Sequence, residues 1–325
     1  MQRTVNVPAW AHHYVSDQTD MDRAPQPLDS GRESRIQLDL PDDAYFEYAF
    51  LDADGVMHAD PEYAEHADNP WYHDVTAVFG PLYQPHRLAR PDAQRATGAT
   101  TRLRVESQDE EVRRATIYTP HDLTGPAPLV VVHDGTAFHR IAQTPALLET
   151  LLAEGVIEPA RLAFLDPLRP ELRRAEYGFG EAYQRTLQHD LLPRLQDEAD
   201  ASSLLFLGAS LGGLAALLTS LRQPEQVTGI GLLSPALLGT PDVPVFHGTK
   251  DSWVLEFLES YEDALPWRIY QEVGTFDWLH DVNQRVAPLL AERANRHVFR
   301  VRSAGHNWTF WRDGLPEALT TLLAP

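Results

Sequence analysis

The chain has 325 residues, 43% hydrophobic and 9% aromatic, enough for one large domain with a sizeable core, or a large domain with a small one. Its 47 acidic residues against 27 basic give a formal net charge of −20, which argues against nucleic acid or an anionic membrane surface as a partner. The absence of cysteine excludes disulfides, thiolate metal sites and a cysteine nucleophile, and no apolar run approaches the length of a membrane span.

The opening stretch MQRTVNVPAWAHHYVSDQTD has no apolar core of a secretory signal, so a cytoplasmic location is the expectation. Residues 1–34 are polar, contain proline and read as an irregular arm. Ile36, Leu38 and Leu40 then alternate with Gln37 and Asp39, and Phe46, Tyr48 and Phe50 with Glu47 and Ala49, which is strand period. Asp54-Gly55 is a hairpin signal, because glycine takes φ > 0 at low steric cost. Residues 61–100 are loop-rich, with Asn69-Pro70 and Gly80-Pro81 among their turn signals. Residues 1–95 are expected to form an arm and a small β-rich domain, and residues 96–325 the main domain.

Past residue 100 the pattern becomes strands alternating with helices. TRLRVES and VRRATIYTP read as two amphipathic strands, an antiparallel edge; LVVVHDG and RLAFLD are continuous apolar runs, as in strands buried on both faces. Helices are expected over 142–154, 179–198, after SLLFLGAS, near 253–264, near 279–295 and from about 311, with strands VTGIGLLSP, RIYQEVG and HVFRVRS between them. This order predicts a mostly parallel α/β sheet with helices on both faces.

Gly208-Ala209-Ser210-Leu211-Gly212 matches Gly-x-Ser-x-Gly between a strand and a helix, the context in which that motif carries a nucleophile. Small residues suit the tight, strained turn, and the helix N-terminus offers free N–H groups to a developing oxyanion. A serine hydroxyl needs a base. Of fourteen histidines, only His247, His280, His297 and His306 follow Ser210, and triad partners on such an elbow come in the order acid, then histidine. His306 follows a strand, after a glycine, at the sheet end where α/β sites lie; His297 starts that strand and His280 opens a helix. Asp277 and Asp251 compete as the acid, and Asp277 is favoured because it follows the longer strand. For the oxyanion, the Leu211 amide would pair with one from the Asp134-Gly135 turn, Gly135 or Thr136.

In order, VVHDG, RRAEY with Leu192-Pro193, GASLGG, GTFD and GHNWTFWRDGL resemble the enterochelin esterase and esterase D-like branch of the α/β-hydrolases over residues 100–325. YFEYAFLDADGVMHADP is similar to the immunoglobulin-like (E-set) domain that precedes the hydrolase domain in enterochelin esterases. The resemblance implies an α/β-hydrolase fold, a Ser210–His306–Asp277 triad, ester hydrolysis through an acyl-enzyme, a small-molecule ester substrate, and no cofactor. ALLGT departs from the Ser and Trp residues that siderophore-hydrolysing relatives carry after that strand. Arg173 is a candidate for substrate binding or for a pair with Glu176 one helical turn on, and Trp308 for an aromatic wall. Acyl transfer by the same residues and a non-catalytic binding scaffold are the alternative functions. No metal is expected: Asp52-Ala53-Asp54-Gly55 lacks the later ligands of a calcium loop.

Overall fold

The computed structural model describes residues 1–19, 21, 24–28, 35–63, 65–107, 110–243 and 249–325. His247 therefore lies outside the described residues.

Among the described residues the N-terminal part carries seven strands: β1 (Gln2–Asn6), β2 (His13–Ser16), β3 (Gln26–Pro27), β4 (Arg35–Asp39), β5 (Tyr45–Leu51), β6 (Met57–His58) and β7 (Thr76–Phe79). β1 and β4 pair antiparallel; β2, β3, β6 and β7 assemble around β5. The expectation of an irregular arm over residues 1–34 is corrected here: β1, β2 and β3 lie within it. Their apolar residues are few, and Val5 and Val15 are buried only because β4 and β5 lie beside them. The alternation in β5 was equally deceptive. Every residue from Tyr45 to Phe50 is buried, Glu47 included. Glu47 is satisfied by the Tyr45 hydroxyl at 2.8 Å and the Asn69 side-chain amide at 3.0 Å.

Among the described residues the main sheet has eight strands: β8 (Ala99–Glu106), β9 (Val112–Thr119), β10 (Ala127–His133), β11 (Arg161–Leu165), β12 (Ala201–Ala209), β13 (Val227–Leu233), β14 (Leu265–Gly274) and β15 (Ala294–Arg302). Their order is β15-β14-β13-β12-β10-β11-β9-β8. β8 and β9 form the antiparallel edge that their amphipathic patterns predict, and β10 to β15 run parallel.

The helices are α1 (Thr144–Ala153), α2 (Arg173–Tyr177), α3 (Glu181–Thr186), α4 (Leu192–Glu198), α5 (Leu211–Arg222), α6 (Trp253–Ser260), α7 (His280–Arg293) and α8 (Trp308–Leu322). One face of the sheet buries Leu147, Leu148 and Leu151 of α1 with Leu315 and Leu319 of α8. The other buries apolar residues of α3 through α7, such as Tyr183, Leu195, Leu214, Val254 and Val286 with their neighbours. Two helix expectations need adjustment. The helix over 179–198 is interrupted by a wider π-type turn at residues 187–191. The last helix begins at Trp308, not near 311, because the Asn307 side chain caps it by accepting from the Phe310 N–H at 2.8 Å.

Two fully buried carboxyls, Glu47 and Glu272, are pushed up to about 7 by burial. An acid raised in the folded state stabilises the fold below its unfolded pKa, and that contribution is lost as pH rises through the folded value. Between pH 5 and 8 the wild type should therefore lose more stability than Glu47→Gln does, a difference that thermal melts across that range will measure.

Candidate active site

The site is built at the carboxyl ends of β12, β14 and β15. β12 ends in the elbow, where Ser210 is held at φ 55 and ψ −120, outside the conformations that a side-chain-bearing residue prefers. The turn is closed by the Ser210 N–H donating to the Leu233 carbonyl and the Ala236 N–H to the Ser210 carbonyl, both at 2.9 Å. A Cβ at Gly208 would collide with the Gly212 backbone, so the first glycine is required by the close approach of strand and helix.

His306 and Asp277 arrive from the loops after β15 and β14. His306 Nε2 lies 2.9 Å from Ser210 Oγ, and Nδ1 lies 2.9 Å from Asp277 Oδ2. Asp277 is 4% exposed, and its other oxygen accepts the Leu279 N–H at 2.8 Å. The rings of Trp311 and Trp278 pack on the imidazole, with centroids at 4.9 and 5.6 Å. Asp251, the rival acid, is exposed ahead of α6, and the imidazole of His306 bonds to Asp277 and Ser210 and not to it. His297 bonds instead to Gln271 at 3.1 Å, and His280 to Asp281 at 3.3 Å.

Leu211 opens α5 beside Ser210, so its amide is one of the first-turn donors that lack an intrahelical acceptor. Gly135 is not among the residues that line the cavity holding Ser210. It lines a separate cavity with Thr136, His139 and Asp166, and the Thr136 N–H donates to Asp166 at 2.9 Å. Asp134, at φ 56, turns its carboxylate toward Arg173 instead. His133, just before it, is buried, and burial pushes its imidazole down to about 4, leaving it neutral.

Ser210, Leu211 and His306 share a cavity of about 350 Å³ with four indoles, Trp71, Trp278, Trp308 and Trp311. Trp308 is fully buried, wedged between Phe138 and Trp71 with centroids at 5.2 and 5.4 Å. Arg173 and Arg174 also line the cavity. Arg173 forks onto both oxygens of Asp134 at 2.6 and 2.7 Å and lies 5.9 Å from the Trp71 ring. The pair with Glu176 does not form; Glu176 takes Arg113 at 2.7 Å. The sequence reading missed Trp71 and Trp278. Trp71 follows Asn69-Pro70 in a loop of the N-terminal part, and a tryptophan in so polar a loop was the available signal.

Among the described residues no cluster of three or more His, Asp or Glu side chains could hold a metal ion, and no helix is long and apolar enough to cross a membrane.

The eight-stranded sheet, the strand–Ser–helix elbow and the chain order Ser210, Asp277, His306 are those of the α/β-hydrolase fold. The chain belongs to the putative esterase family, whose model matches residues 109–322. It is 30% identical over 279 residues to the iron(III) enterobactin esterase of Dickeya dadantii, covering 79% of this chain and 63% of that protein. To the iron(III) salmochelin esterase of Escherichia coli O6:H1 it is 27% identical over 225 residues, 65% of this chain and 54% of that one. The matches thus span less than two thirds of these curated relatives. The crystal structure of the Shigella flexneri enterobactin esterase in the presence of enterobactin superposes with a TM-score of 0.75 at 21% identity, over 99% of this chain and 92% of that one. That likeness extends the shared fold to the N-terminal β-rich part.

Because Asp134 is buried and both its oxygens are engaged, Arg173→Ala should cost about 1–3 kcal/mol in urea unfolding. Arg173→Lys should fall between, since an ammonium cannot match the fork. Gly208→Ala should cost a similar 1–3 kcal/mol by overpacking the elbow.

Proposed function

We propose that this chain is a serine esterase. Ser210 Oγ attacks an ester carbonyl, and His306 Nε2 accepts its proton and returns it to the leaving alkoxide. Asp277 fixes the imidazole tautomer through Nδ1 and stabilises the imidazolium. The Leu211 amide donates to the oxyanion at the positive end of α5. Water activated by His306 then cleaves the acyl-enzyme. The observation that carries this reading is the unbroken hydrogen-bonded line Ser210–His306–Asp277, with both links at 2.9 Å, opening into a cavity.

The cavity wall supports an ester that carries aromatic rings as substrate. Four indoles offer flat apolar faces, and two guanidinium groups favour negative charge on the ring or its substituents. An ester that bears catecholates, of the enterobactin kind, has both features, and the relatives' names are in keeping with it. The opposing consideration is charge: the chain is −20 overall, and Arg173 already neutralises Asp134. Arg169, the third arginine of that segment, lies 3.3 Å from Glu111 and does not line the cavity.

Hydrolysis of 4-nitrophenyl esters and of ferric enterobactin tests the reading. Ser210→Ala should remove turnover on both. Asp277→Asn should lower kcat on the order of 10⁴-fold, and Asp251→Asn less than about twofold. Turnover retained by Ser210→Ala sinks the esterase. Simple esters cleaved while enterobactin is left intact would keep the chemistry and discard the siderophore.

A further inference from the structure

We propose that Asp17, from the N-terminal β-rich part, is a positioning residue that holds the loop Gly305–Asn307 so that His306 lies between Ser210 and Asp277. The inference rests on the reading of His306 as the catalytic base.

Asp17 follows β2 and is fully buried. It grips the histidine loop twice. Its main-chain carbonyl accepts the His306 N–H at 2.9 Å. Its Oδ2 accepts the Asn307 side-chain amide at 2.7 Å and the Glu47 N–H at 3.0 Å. Asn307 in turn caps α8, so the carboxyl of Asp17 is linked through one side chain to the start of that helix. The seam continues on the same side: the Tyr45 N–H donates to the Ser303 carbonyl at 3.0 Å, and the Thr309 hydroxyl to the Tyr45 hydroxyl at 3.1 Å. A Cβ at Gly305 would collide with the Asp17 carboxyl, so the two segments touch only because residue 305 has no side chain.

The other oxygen, Oδ1, has no hydrogen-bond partner among the described residues. Burial, then the neighbouring Glu47 carboxyl, with a smaller push from Asp277, holds the Asp17 carboxyl well above the usual carboxylate range. What Asp17 contributes to the imidazole is geometry, through its bonds to the His306 N–H and to the Asn307 side chain. Geometry is what the reaction needs here, because a displacement of about 1 Å in a reacting group can cost on the order of 10²-fold in rate.

The test uses the full-length chain. Asp17→Ala should lower kcat on the order of 10- to 100-fold while KM stays within about twofold. Asp17→Asn retains an oxygen for both donors and should recover most of the loss. Asn307→Ser keeps a capping oxygen but removes the amide that reaches Asp17, and should reproduce the loss in kcat if Asp17→Ala does not fold. A second readout needs no turnover: the low-field proton of His306 Nδ1, seen by NMR, should persist in wild type and Asp17→Asn, and vanish in Asp17→Ala or in Asn307→Ser. Wild-type kcat together with an intact low-field proton in Asp17→Ala or Asn307→Ser would overturn the proposal. If the wild type cleaves no ester, the esterase reading fails by itself, and the proton resonance still decides the role of Asp17.

Discussion

The constraint on which the rest depends is the conformation of Ser210. A residue with a side chain at φ 55 and ψ −120 costs about 1–3 kcal/mol and persists only where its surroundings over-determine it. Those surroundings are β12 and α5. Leu204 to Ala209 are buried in the middle of the sheet, and Leu211 to Ser220 are buried along the helix. Two hydrogen bonds tie the turn to the end of β13. The burial that stabilises the sheet therefore also holds the serine forward of it, where the loops after β14 and β15 can reach it.

The second organising feature is a set of buried acids behind the histidine loop. Asp17, Glu47, Asp277 and Glu272 are all withdrawn from water, and each has defined partners. Asp277 faces the imidazole. The others join strands and loops that are far apart in the chain: Asp17 to Asn307, Glu47 to Asn69, Glu272 to Arg302. A chain with so many exposed carboxylates thus keeps a few inside, where their hydrogen bonds specify which loop meets which strand.

Much of the main domain was legible because its signals are local. The apolar runs of β10, β11 and β12, the Gly-x-Ser-x-Gly elbow and the glycine-led loop at His306 each show in a short window. Asp277 could be preferred to Asp251 from the strand before it. What stayed hidden depends on contacts distant in sequence. β1 and β2 are short and polar, and they are strands only because β4 and β5 lie against them. Glu47 looked like the wet face of a strand and is dry, since both faces of β5 are covered. The Asp134-Gly135 turn was legible, but not that Asp134 would turn to Arg173 and leave Gly135 in another cavity. Trp71 reaches the cavity of the serine from more than a hundred residues away, and no periodicity records that.

The position of Trp71 has a consequence for how such a protein can diversify. The serine, the histidine and the acid all come from the parallel sheet, whose packing tolerates little change. Part of the wall of the cavity that holds Ser210 comes from residues 69–72, in the other part of the chain. Substitutions in that loop can alter the shape and polarity of the cavity without disturbing the strained turn. The shape of the cavity can in this way change while the hydrogen-bonded line Ser210–His306–Asp277 stays as it is.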